Sequence, residues 1–125
     1  MKYTIKINQK GYYDANFQCL DIIDLALYDF VCSFATHKNC IKMTQNNETY
    51  FYISWKLAAK EMPLLKLNTR QSFNNRMNNL IEAGLLERNP NNGRGNNFSM
   101  FCFGVNHGLL DFEYKPKEED DTFPF

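Results

Sequence analysis

"PLLKLNTRQSFNNRMNNLIEAGLLER", Pro63 to Arg88, decides the fold. Asn68 or Thr69 is placed to cap a helix, because a short polar side chain satisfies the free N–H groups of a first turn. Phe73, Met77, Leu80 and Ile81 then fall within roughly 100° of arc at about 3.6 residues per turn. Gly84 stands where a helix ends in a left-handed residue. Leu85-Leu86-Glu87-Arg88 restarts the chain as a strand. "NPNNGRGNN" is a turn cluster, and "FSMFCFGV" returns as a second strand.

Upstream, "IKMTQNNETYFYIS" holds two alternating runs around Asn46-Asn47, which predicts a hairpin. Ser54 caps a short helix, "WKLAAKEM", with Trp55, Leu57, Ala58 and Met62 inward. Pro63 stops that helix at or near Met62. Phe17 to Thr36 repeats apolar residues at helical spacing (Leu20, Ile23, Leu27, Phe30, Val31, Phe34), so a long helix is expected there with Asn16 as its cap. "YTIKINQ", Tyr3 to Gln9, alternates and reads as a short strand or extended arm ended by Gly11. The expected core is Trp55, Leu57, Phe73, Met77, Leu80, Leu86 and Phe101.

The chain has 125 residues, which fits one domain with its own core. Its formal net charge of zero is split: residues 42–110 carry eight Lys/Arg against four acids, residues 111–125 two Lys against six acids. A basic body, 1–110, with an acidic tail, 111–125, fits a binder of polyanions. Cys19, Cys32, Cys40 and Cys102 form no C-x-x-C pair and read as reduced core residues of a cytoplasmic protein. His37 and Cys40 have a metal-like spacing, but no second pair completes a site. The N-terminus lacks a leader's apolar stretch, and Asp24 and Asp29 interrupt the most apolar segment, so neither a signal peptide nor a membrane span is expected. With no phosphate loop, no paired acids and no nucleophile beside a His, neither an enzyme nor a cofactor is expected.

The order helix, strand, short helix, turn, helix, strand, loop, strand is that of a winged helix-turn-helix, an α+β fold with a two- to three-stranded antiparallel wing sheet. Ile53 to Phe101 resembles the winged-helix module of phage and plasmid replication initiators, replisome organisers and related regulators. The resemblance rests on three features: the Ile53-Ser54 lead-in, the Thr-started helix, and the exit run Leu80, Ala83, Gly84, Leu85, Leu86, Arg88. It covers about residues 41 to 105. It implies a non-enzymatic binder of duplex DNA in phage or mobile-element replication or regulation. The departures are an Asn-rich recognition helix, poor in Lys and Arg, and the long insert "MPLLKLN".

On that helix Thr69, Gln71, Ser72, Asn75, Asn78 and Asn79 are candidates for reading the groove, since amides bond adenine edges. Arg70 and Arg76 flank the stripe and would hold phosphates. Arg94, between two glycines, would reach DNA from the wing. Lys56, Lys60 and Lys66 would supply backbone contacts. Two alternatives keep the fold and change the role: a protein-interaction module, and a dimeric transcriptional regulator joined through the long first helix.

The tail "EEDDTFPF" resembles the C-terminal tip of bacterial single-stranded DNA-binding proteins, which ends in acids, an apolar residue and Pro-Phe. Asp120, Asp121, Pro124 and Phe125 carry the match. Phe123 replaces a smaller aliphatic residue. The resemblance implies docking to host replication or repair proteins that bind such tips. The same acids could instead lie on the chain's own basic surface, or end on Pro-Phe by chance.

Overall fold

A computed structural model describes residues 4–90 and 100–110. The wing tip with Arg94, and the tail with Asp120, Asp121, Phe123, Pro124 and Phe125, lie outside the described residues. The elements are α1 (Gln9–Ala15), α2 (Ile22–Ala35), β1 (Lys42–Gln45), β2 (Glu48–Tyr52), α3 (Trp55–Glu61), a 3-10 turn (Pro63–Leu65), α4 (Arg70–Glu82), β3 (Leu86–Arg88), β4 (Met100–Phe103) and a second 3-10 turn (His107–Leu110). The fold is α+β. Its antiparallel sheet runs β1-β2-β4-β3. The order from α2 to β4 is compatible with a winged helix-turn-helix.

The sheet has four strands, not the two or three expected. The hairpin adds β1 as an outer edge beside β2. Asn46 and Asn47 both take positive φ, 55° and 65°, as a two-residue turn matching the strand twist requires. Asn tolerates this because its short amide bonds local backbone.

The N-terminal expectation needs two corrections. Gly11 lies inside a helix, α1, and ends nothing; Asn8 caps it by accepting from the Gly11 N–H at 2.9 Å. A side chain at 11 would meet the Leu109 carbonyl 2.5 Å away, so a glycine lets α1 approach the second 3-10 turn. Asn16 is the left-handed C-cap of α1 (φ 58°), not the cap of the long helix. That helix, α2, starts at Ile22 behind a capping box: the Asp24 N–H donates to Asp21 Oδ1 (3.0 Å), and the Asp21 N–H to Asp24 Oδ2 (3.1 Å).

α2 is the central helix. Leu25, Ala26, Leu27, Tyr28, Phe30, Val31 and Ala35 are buried on it. They pack with Phe73, Met77 and Leu80 of α4 and with Phe51, Leu86 and Phe101 of the sheet in one core. Trp55 and Leu57 are only partly buried at the core's margin, since α3 is two turns long and turns Ala58 inward. Cys40 and Cys102 are buried, Cys32 is intermediate, and Cys19 is exposed and so not a core residue; none of the four forms a disulfide. Burial pushes the Cys102 thiol up to about 11.

Candidate nucleic-acid interface

The positions of α3 and α4 follow from local chemistry. Ser54 accepts from the N–H groups of Lys56 and Leu57 and starts α3. Met62 closes it before Pro63, and Lys66 turns the chain through φ 55°. Thr69 then starts α4. The Ser72 N–H donates to Thr69 Oγ1 (3.0 Å), and the Thr69 N–H to Ser72 Oγ (3.2 Å). Thr69 and Ser72 therefore form a capping box, worth about 1 kcal/mol. Gly84 follows α4 with φ 81°, as expected of a left-handed residue.

With Phe73, Met77 and Leu80 buried, the opposite side of α4 is set by the helical period. Gln71, Asn75, Asn78 and Glu82 form its outward stripe, and all four are exposed. One shoulder, with Arg76 and Asn79, faces α2. The other, with Arg70 and Asn74, faces the start of α3.

The α2 shoulder is chemically occupied. Arg76 Nη1 donates to Asp21 Oδ1 and Oδ2 at 2.8 and 2.7 Å, and to Asp24 Oδ1 at 3.3 Å. Asn79 Nδ2 donates to both Asp24 oxygens at 3.3 Å. Asp24 is 1 % exposed. Burial pushes its carboxyl above the ordinary aspartate range, against the hydrogen bonds that favour the anion. Asp21 moves the other way. Burial opposes the shift, but the Asp24 amide and the Arg76 guanidinium hold it below that range. Any phosphate approaching Arg76 must compete with two carboxylates.

The α3 shoulder is open. Among the described residues, the side chains of Arg70, Gln71, Asn75, Lys60 and Lys66 make no hydrogen bond or ion pair, and all five residues are exposed. Lys56 lies 5.9 Å from the Trp55 ring centroid. Tyr52, Ser54, Trp55, Arg70, Phe73 and Asn74 line a cleft of about 90 Å³ where α3 and α4 begin. A cleft of this size holds about three water molecules.

At the far end of the stripe Arg88 Nη2 donates to the Asn78 Oδ1 carbonyl at 3.0 Å and lies over the Phe101 ring at 5.1 Å. Arg88 thus adds a cation beside the stripe. Strand position alone does not signal it, because the pairing of β3 with β4 sets where its side chain points. Asp21 and Asp24 are likewise not legible as partners of Arg76, which lies 55 and 52 residues away in sequence.

Of the candidate groups, Lys60, Lys66, Arg70, Gln71 and Asn75 are therefore exposed with unengaged side chains among the described residues, and Lys56 lies by the Trp55 ring. The structure places Thr69, Ser72, Arg76, Asn78 and Asn79 in internal bonds. His37 Nδ1 accepts from the Asn39 N–H, and His107 Nδ1 pairs with the Tyr28 hydroxyl at 2.6 Å. Among the described residues no group of three or more His, Cys, Asp or Glu could hold a metal ion. No described helix is long and apolar enough to cross a membrane. No family model, curated protein or solved structure matches this chain.

Proposed function

We propose that this protein binds duplex DNA, without catalysis, through the outward stripe of α4 and the basic α3 shoulder beside it. One observation carries the reading: Lys60, Lys66 and Arg70 are exposed cations whose side chains have no internal partners among the described residues, and the amides of Gln71 and Asn75 on the outward stripe are equally unengaged. Cations without carboxylate partners are what a phosphate backbone needs, and amides read base edges. In this reading the phosphates lie on the α3 side of α4. On the α2 side Asp21 and Asp24 repel them. Arg94 would add a contact from the wing. A phage or mobile-element role rests on the resemblance of Ile53 to Phe101, and a cytoplasmic setting on reading the four cysteines as reduced.

The test is fluorescence anisotropy of labelled duplex DNA across a salt series. The triple variant Lys60→Ala, Lys66→Ala, Arg70→Ala should bind more weakly. Its plot of log affinity against log salt should be shallower by about 0.9 for each phosphate no longer neutralised. Unchanged affinity and slope would reject this surface and favour a protein partner. The tail is proposed as a docking peptide on the match at Asp120, Asp121, Pro124 and Phe125. Deleting Phe125 should remove binding to a protein that accepts such tips and leave DNA affinity unchanged. A tail deletion that alters only DNA affinity would instead make it an internal mask.

A further inference from the structure

We infer that Asp24 is the positioning residue of the α4 surface: through Arg76 and Asn79 it fixes the roll of α4 about its axis, and so which amides face outward. The inference deepens the DNA-binding reading and rests on it only for the consequence at DNA.

The buried stripe of Phe73, Met77 and Leu80 decides which side of α4 faces the core, but it leaves the finer roll to directional contacts, because apolar attraction by itself is not directional. Hydrogen bonds are directional. Arg76 and Asn79 stand three residues apart on one side of the helix, and both converge on the Asp24 carboxylate. Asp24 Oδ2 also accepts the Asp21 N–H, so the carboxylate is locked into the first turn of α2. The clamp ties the rotation of one helix to the start of another.

A fully buried carboxylate is a poor way to gain stability. Well-packed apolar residues of similar volume do as well or better, whereas a directional polar cluster selects one arrangement among several. Three of its members, Asp24, Arg76 and Asn79, sit where apolar side chains would serve packing alone. Across the helix, Gln71, Asn75 and Asn78 form the stripe that any roll would redirect. Successive residues are about 100° apart, so a roll of only about 40° replaces Asn75 by Asn79 or Gln71 at the centre of the stripe.

The test compares the full chain with Asp24→Asn and with the triple variant Asp24→Leu, Arg76→Met, Asn79→Leu. Residual dipolar couplings of the α4 backbone amides oscillate along the helix with a phase that reports its roll. The triple variant should unfold cooperatively, yet show a moved phase or more than one set of α4 resonances. Asp24→Asn keeps the side chain's size and Oδ1, but it removes the charge that holds Arg76 and sets an amide donor where Oδ2 accepted from the Asp21 N–H and Asn79; it should show the same loss of a single phase, so it decides the matter if the triple variant does not fold. A wild-type phase and one sharp set of resonances in the folded variants would overturn the inference. In a second arm, duplexes selected by the wild-type chain are compared with scrambled ones. Their affinity ratio should fall about tenfold in the variants, as when one base is no longer read, while low-salt binding to scrambled duplex persists. If no form binds any duplex, the proposed function fails, and the coupling phase still decides the clamp.

Discussion

Arg76 Nη1 lies 2.7 Å from Asp21 Oδ2 and 2.8 Å from its Oδ1, so the cation midway along α4 is bound to the cap of α2. The same nitrogen reaches the buried Asp24. This one contact joins the two longest helices and sets the electrostatics of the surface between them. Removing the guanidinium leaves a buried carboxylate with only Asn79 and the Asp21 amide. Arg76→Ala should cost about 1–3 kcal/mol. That is below the full figure for a buried pair, because Asp21 is half exposed. Urea titration at neutral pH measures it, and a loss under about 0.5 kcal/mol would place the pair among surface bridges of little consequence.

The two aspartates should leave opposite marks on the pH dependence of stability. The folded chain holds the Asp24 proton more tightly than the unfolded chain, since burial raises its carboxyl. Stability from this group is present at and below the ordinary value of 3.8 and is lost as pH rises through the raised folded value. Asp21 is lowered, so its contribution is present above 3.8 and is lost as pH falls through the depressed value. Asp24→Asn should therefore flatten a decline in urea midpoint on the neutral side of 3.8 without touching the acid side. An unchanged profile there would show that Asp24 ionises freely.

Gly84 should be irreplaceable for two separable reasons. Its φ of 81° strains any L side chain, and a Cβ there would meet Asn106 Nδ2 at 2.6 Å. Asn106 itself donates to the Ala83 carbonyl at 2.8 Å. Gly84→Ala should cost at least about 1 kcal/mol. Adding Asn106→Ala relieves the clash and not the φ, so the double variant should regain only part of the loss. Full recovery in thermal unfolding would mean that the strain lies in the contact alone.

Where local chemistry is decisive, the amino-acid sequence is a good guide. Thr69, Ser54, Gly84, Pro63 and the Asn46-Asn47 turn each act within a few residues, and each occurs as expected. The start of α2 escapes sequence reasoning for the same reason. Asn16 and Asp21 are both plausible caps, and only the left-handed φ of Asn16 and the box with Asp24 separate them. α1 is hidden because Gly11 argues against a helix locally, while its close approach to Leu109 is a long-range demand. On α4 the stripe is legible from periodicity. Which of its polar groups are available is not, since that depends on Asp21, Asp24 and Arg88 arriving from other elements.

Core burial gives a graded expectation. Phe73 is buried, whereas Trp55 is only partly so. Phe73→Ala should cost about 3–5 kcal/mol, and Trp55→Ala clearly less despite its larger ring. Denaturant midpoints of the two variants at equal slope provide the comparison. The reverse order would mean that α3 is seated more deeply than its accessibility indicates.

The asymmetry of α4 makes the sharpest prediction about function. Arg70 and Arg76 belong to the same helix and carry the same charge, and nothing in their local sequence ranks them. Arg70 has no partner among the described residues, whereas Arg76 has two carboxylates. A DNA phosphate can pair with Arg70 without breaking an existing bond. To reach Arg76 it must displace Asp21, and the displaced carboxylate would then repel it. Arg70→Ala should therefore weaken duplex binding and reduce the salt slope by about 0.9. Arg76→Ala, measured where the variant remains folded, should leave the slope unchanged. Asp21→Asn should do the opposite of Arg70→Ala: with one anion gone and Arg76 partly released, affinity rises and the slope steepens. Anisotropy titrations of the three variants on one duplex are sufficient. Equal losses for Arg70→Ala and Arg76→Ala would mean that DNA breaks the Asp21 contact on binding, and that the α2 shoulder is part of the interface.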